Sequence, residues 1–192
     1  MIQFKNMRHR IFIAVNLPKE IRKQLVNYQS KWPELPIKWT KPENLHITLI
    51  FLGDVNDSEL VEICKTSKEI IEQHDSLGIN LNEICYGPPK KMPPRMIWVK
   101  GQKSQELSDL KKDLESALLE KVNFHQENRA FSPHITLGRI RTWDWSKIEP
   151  EERPEVNEII DLGFEVGSID VMESELKRDG PKYIILEPCV LK

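Results

Sequence analysis

Apolar positions in this chain fall into short continuous or alternating runs, separated by longer stretches with helical spacing. Residues 10–17 form a β-branched and aromatic run that stops at Pro18, the signature of a buried strand. Pro18 suits the first turn of a helix, where its missing N–H costs nothing. Ile21, Leu25 and Tyr28 follow at helical spacing and place that helix over residues 18–31. Beyond Pro33 and Pro36, residues 37–39 read as a short strand and residues 45–52 as another, closed by Gly53-Asp54. A second helix over residues 57–74 gathers Leu60, Ile63, Cys64, Ile70 and Ile71 on its apolar side. Residues 79–84 alternate like a half-buried strand, and a proline-and-cation loop over 87–95 leads into a strand at 96–99. A third helix over 104–120 sets Leu107, Leu110, Leu114 and Leu118 in register. Ser132-Pro133 opens a strand over 134–140, the Trp-containing stretch 141–154 reads as loop, and 159–166, 168–172 and 183–186 alternate as antiparallel strands. Strict β-α-β alternation fails toward the C-terminus. The pattern predicts an α+β architecture rather than a doubly wound sheet.

Composition narrows the class. At 192 residues, with 39% hydrophobic and 30% charged positions, the chain can bury a real core as one domain or two small fused lobes. Its 28 Lys and Arg against 30 Asp and Glu leave a formal charge of −2, which excludes indiscriminate coating of nucleic acid by a basic face. A phosphate-bearing ligand would therefore be held by a local pocket. Cys64, Cys85 and Cys189 form no CxxC pair, which argues against a disulfide framework and for a reducing compartment. Lys5, Arg8, His9 and Arg10 precede an apolar run, but Asn16 and Pro18 end it too early for a signal peptide. No apolar run approaches the roughly 20 residues that span a bilayer. The expectation is a cytoplasmic protein without a membrane partner.

The chemistry lies in a repeat. His-Ile-Thr-Leu stands at residues 46–49 and again at 134–137, each copy after a proline-containing turn and each on a predicted strand. Two of the five histidines are used this way, and the repetition suggests two related lobes, each donating one copy. Strand period two sends His46 and Thr48 to one face and Ile47 and Leu49 to the other, as for His134 and Thr136 against Ile135 and Leu137. If the lobes face each other, a cleft receives two imidazoles and two hydroxyls. A neutral imidazole can take a proton from water while a protonated one gives a proton to a leaving oxygen. The hydroxyls can donate to non-bridging phosphate oxygens. This is equipment for phosphodiester chemistry without a metal. Catalytic zinc wants three protein ligands, and no further His or carboxylate stands at short ligand spacing from either copy. His9, His74 and His125 show no partner pattern and are assigned to the surface or to ordinary packing.

The string Trp39-x-x-Pro42-Glu43-Asn44-Leu45-His46-Ile47-Thr48-Leu49-x-Phe51-Leu52-Gly53 resembles the first motif of the two-histidine (2H) phosphoesterases, and more narrowly of the LigT-like RNA 2′,3′-cyclic phosphodiesterases. Residues 131–139, Phe-Ser-Pro-His-Ile-Thr-Leu-Gly-Arg, are similar to the second HxTx motif of that family. Glu173-Ser174-Glu175-Leu176 with Gly180-Pro181-x-Tyr183 resembles its C-terminal hairpin, and Arg10-Ile11-Phe12-Ile13-Ala14 its opening strand. The resemblance implies an α+β bilobal fold over residues 1–192, in which two pseudo-symmetric lobes of antiparallel sheet with outer helices surround a central cleft. It implies hydrolysis of a terminal 2′,3′-cyclic phosphate on RNA or a nucleotide to a 2′-phosphomonoester, by a monomer with no cofactor and no metal. Carried over by position, His46 is the proton donor, His134 the proton acceptor, and Thr48 and Thr136 bind the phosphate.

Arg139 matches a family position that assists phosphate binding, although strand parity turns it toward the core unless a bulge re-aims it. Phe51 stands at the equivalent offset in the other lobe and reads as a core aromatic, with base stacking as the alternative. Lys90, Lys91 and Arg95 are candidate RNA-backbone contacts or a plain solvated loop, and Trp143 and Trp145 candidate stacking faces. Within the same chemistry, action on 2′–5′ linkages or on small cyclic nucleotides is an alternative. From another class, a module that only binds RNA ends is the competing reading.

Overall fold

A computed structural model describes residues 8–89, 91–127 and 130–192. Among these residues the strands are β1 (His9–Asn16), β2 (Ile37–Trp39), β3 (His46–Val55), β4 (Leu77–Gly87), β5 (Met96–Gly101), β6 (His134–Ile140), β7 (Asn157–Val166), β8 (Ser168–Lys177) and β9 (Gly180–Val190). The helices are α1 (Lys19–Gln29), α2 (Asp57–Ile71), α3 (Gln105–Leu119) and the short α4 (Thr142–Trp145). Pro18 sits at the N-cap of α1, one residue before the helix begins. In α2, Asn56 and Glu59 form a reciprocal capping box that satisfies two otherwise orphaned N–H groups. Leu107, Leu110, Leu114 and Leu118 of α3 are fully buried, as their spacing predicts.

Strand order is β7-β4-β5-β6-β3-β1-β8-β9, with β2 also pairing β6, and every pairing is antiparallel. A four-stranded half (β3-β1-β8-β9) and a five-stranded half (β7-β4-β5-β6 with β2) of one sheet meet at the centre through one backbone pairing, Ile47 opposite Ile135. The lobes exchange chain. One joins β1 and β3 to the C-terminal hairpin β8–β9, and the other joins β5 and β6 to β4 and β7. One continuous apolar core runs beneath both, from Ile47 and Leu49 to Ile135 and Leu137 and on to the inner faces of α1, α2 and α3. The opposite face carries the smaller cluster Phe12, Ala14 and Met172, with Tyr183 packed against it.

Two local features depart from the alternating pattern. Gly53 was expected to end a strand, but β3 continues to Val55: Gly53 adopts φ +77°, and Leu52 is an extra residue in the pairing with β1. The stretch expected to be loop at 141–154 contains α4 and a 3-10 turn at Pro150–Glu152. Burial explains the first of these, because Trp145 is 2% exposed and meets Tyr86 edge-on at 5.5 Å.

Candidate active site

Both copies of the repeat occupy the same place in their lobes. His46 begins β3 and His134 begins β6, next to the one pairing that joins the two halves of the sheet. Ile47, Leu49, Ile135 and Leu137 are buried in the core, as period two requires, and the His and Thr side chains are partly exposed on the other face. His46 Nδ1 lies 2.7 Å from the carbonyl of Asn44, and His134 Nδ1 lies 2.9 Å from the carbonyl of Ser132. A carbonyl only accepts, so each Nδ1 carries hydrogen and each Nε2 is left for chemistry. The same i−2 contact thus sets tautomer and ring direction twice.

The two rings differ in surroundings. His46 is the more enclosed: its ring centroid lies 5.1 Å from Phe12 and 5.2 Å from Tyr183, and its Nε2 is 2.9 Å from Thr48 Oγ1. Burial lowers its pKa, the Asn44 carbonyl opposes that, and a charge on His134 lowers it further. Both rings stand on residues adjacent to the Ile47–Ile135 pairing, at the starts of β3 and β6. In neutral His46, Nε2 accepts a hydrogen bond from the Thr48 hydroxyl. His134 instead lies flat on the indole of Trp98, with centroids 3.9 Å apart and planes 29° apart.

Matched bulges complete the repeat. In β3, Leu49 is extra between the pairs Thr48–Ala14 and Ile50–Ile13; in β6, Leu137 is extra between Thr136–Trp98 and Gly138–Ile97. Two successive residues then turn inward, and the next one is thrown to the cleft face. In β6 that residue is Arg139, whose Nη1 lies 3.8 Å from the same Met96 sulfur that Thr136 Oγ1 reaches at 3.9 Å. Simple parity had turned Arg139 toward the core; the bulge corrects it. In β3 the equivalent residue is Phe51, 68% exposed, with its ring 6.2 Å from Phe12, so the core-aromatic reading is also corrected. Tyr183 was expected only as part of the hairpin, yet its ring contacts His46; burial pushes its hydroxyl pKa up, opposed by the charges of Arg139 and Arg10.

Other candidates fall outside this cluster. Lys91 and Arg95 are exposed on the loop before β5, and Lys90 lies outside the described residues. Trp143 is exposed under the ammonium of Lys147, 3.0 Å from its ring centre, whereas Trp145 belongs to the core. His9 does have partners, Asp57 and Glu173, and His74 lies 3.3 Å from Asp113. Among the described residues no three His, Cys, Asp or Glu side chains are grouped to hold a metal ion, and no helix is long and apolar enough to cross a membrane.

A family model described as LigT like Phosphoesterase matches the chain twice, over residues 15–98 and 99–183. The chain belongs to this family. Its LigT-like relatives include an RNA 2′,3′-cyclic phosphodiesterase of Methanocaldococcus jannaschii, 31% identical over 93% of this chain and 98% of that one. Another, from Methanothermobacter thermautotrophicus, is 30% identical over 94% and 98%. Among solved structures, the protein TT0787 of Thermus thermophilus superposes with a TM-score of 0.82 at 29% identity, covering 96% of this chain and 98% of that one. E. coli LigT complexed with 3′-AMP gives 0.77 at 25% identity, over 97% and 99%. The protein is thus an enzyme of the two-histidine phosphoesterase family with the α+β fold of LigT-like proteins. Sequence reasoning did not single out Trp98 as a site residue. The available signal was its even parity on β5, which puts it on the cleft face once β5 pairs with β6.

Proposed function

We propose that the enzyme hydrolyses the 2′,3′-cyclic phosphate at the end of an RNA or on a nucleotide, leaving a 2′-phosphomonoester, without a metal ion. Water attacks phosphorus as the bond to the 3′ oxygen breaks. His134 Nε2 takes the water proton, and His46 Nε2 gives a proton to the departing 3′ oxygen. Proton exchange with solvent then restores both rings. The observation that carries this reading is the pair of imidazoles, each fixed through Nδ1 on a backbone carbonyl, which leaves Nε2 as the atom that can exchange a proton, in His46 beside the Thr48 hydroxyl. Burial makes His46 a ready donor, because a desolvated imidazolium releases its proton easily. The anionic substrate supplies the field that lets His46 hold that proton before reaction. Thr48, Thr136 and Arg139 hold the non-bridging oxygens, where negative charge builds in the transition state.

Relatives over nearly the full length carry the name RNA 2′,3′-cyclic phosphodiesterase, which supports the substrate class. We take the whole chain as one bilobal domain acting as a cytoplasmic monomer. The test is an oligonucleotide ending in 2′,3′-cyclic phosphate, incubated with enzyme in excess EDTA, with the product isomer identified. A 2′-phosphate is expected. Loss of activity on chelation would overturn the metal-free mechanism, a 3′-phosphate would reverse the ribose oxygens, and binding without turnover would favour the RNA-end module.

A further inference from the structure

The pseudo-symmetry of the lobes isolates one position at which they differ in a way that bears on the imidazoles. In one lobe β1 sets Asn16, Ala14 and Phe12 opposite His46, Thr48 and Phe51. In the other β5 sets Lys100, Trp98 and Met96 opposite His134, Thr136 and Arg139. Ala14 and Trp98 are therefore equivalents. Where one lobe sets a buried methyl opposite Thr48, the other sets an indole opposite Thr136 whose face stacks on His134; His46 meets only the tilted ring of Phe12 and the edge-on ring of Tyr183.

We propose that Trp98 is the positioning partner of His134: its π face fixes the plane of the ring and stabilises the positive charge that forms there as water is deprotonated. This deepens the phosphodiesterase reading and rests on it for the role of His134. The charged groups around that ring make the indole the available partner. Lys100 stands directly opposite His134 on β5, but its ammonium is 2.9 Å from Glu83 on β4. That contact takes up the Glu83 carboxylate. From β3 comes His46, another potential cation, and along β6 itself lies Arg139. Nδ1 of His134 is spent on the Ser132 carbonyl. Among the described residues no carboxylate bonds to the ring, so the part usually played by an orienting acid falls to an aromatic face. A cation is drawn to an indole more strongly than to other aromatic rings. An interaction that grows as charge develops lowers the barrier rather than merely binding the ground state.

Packing alone does not explain the choice of tryptophan. Its Nε1–H is buried without a hydrogen-bond partner, a penalty that phenylalanine would not carry. The fold also makes room for the ring: a Cβ at Gly87 would stand 2.3 Å from Trp98 Cδ2, so only glycine leaves the indole its place.

The test replaces Trp98 alone with mono-, di- and trifluorotryptophan, which drain the π face while nearly keeping its shape, beside Trp98→Leu and Trp98→Phe. Two quantities are read: kcat, and the pH at which the His134 ring takes up a proton by NMR, with His46 as internal reference. The expected result is a stepwise fall in kcat with fluorination, reaching about 3- to 30-fold in Trp98→Leu, with KM little changed and partial rescue by phenylalanine. The His134 proton uptake should move stepwise to lower pH while that of His46 stays nearly fixed. An unmoved His134 titration across the fluorinated series would overturn the inference, even with full wild-type activity. A moving titration in a protein that turns over no cyclic phosphate would leave the stack standing and remove the phosphodiesterase reading.

Discussion

At the scale of single residues, the two histidines are alike in anchorage and unlike in environment. Both donate Nδ1–H to the carbonyl two residues back, which the shared His-x-Thr strand geometry provides. Burial presses His46 toward the neutral form, whereas His134 rests on an aromatic face. The proposed roles lead to an asymmetric expectation. His46→Ala should lose about 10²–10⁴-fold on a cyclic phosphate but stay near wild type on a diester whose 4-nitrophenolate leaving group needs no proton. His134→Ala should lose rate on both substrates, and the opposite pattern would exchange the two roles. Much of this site was legible beforehand: period-two alternation put both His and both Thr on one face without further information. Phe51 was misread, and plain parity stood against Arg139 unless a bulge intervened, because one extra residue at Leu49 and at Leu137 breaks the alternation, and a bulge leaves little mark in a β-branched run. Trp98 was missed for a different reason. Its importance depends on which strand lies beside β5, a long-range fact that local spacing does not contain.

At the scale of elements, strands and helices followed the apolar pattern closely where one face was buried, as in β6 and α3. They departed where burial or backbone geometry overrode composition, as at Gly53 and at the Trp145 turn. His9 shows what pattern reading passes over. Its Nδ1 is 2.8 Å from Glu173 on β8 and its Nε2 is 2.9 Å from Asp57 in the first turn of α2, so one imidazolium ties three elements together. The hydrogen bonds to Asp57 and then Glu173 raise its pKa above the ordinary histidine value. A raised folded-state value stabilises the fold fully below the unfolded pKa, and that stabilisation is lost as pH climbs through the folded one. His9→Gln should therefore lower Tm at about pH 5.5 and make little difference at about pH 9. A Tm difference independent of pH would mean that the contact acts through packing alone.

At the scale of the whole molecule, the chain builds one active cleft by exchanging strands between lobes. The C-terminal hairpin completes the sheet that begins with β1, and it is held by Lys41 to Asp179 at 2.6 Å and by Asn44 to the Pro181 carbonyl at 2.8 Å. That hairpin delivers Tyr183 against His46, so residues from the first and last quarters of the chain share one wall of the cleft. The continuous core beneath both lobes keeps the two repeats in a common frame, which acid–base catalysis at a single phosphorus requires. The repeated tetrapeptide revealed the duplication, but local pattern could not show that the first lobe is finished by the last hairpin. The most direct measurement is single-turnover cleavage of an oligonucleotide 2′,3′-cyclic phosphate by His46→Ala, His134→Ala and the double variant, with Tm measured alongside. Each single variant should fall by about 10²–10⁴-fold with Tm near wild type, and the double should fall by much less than the product of the two losses. Wild-type turnover by either single variant would contradict the paired mechanism.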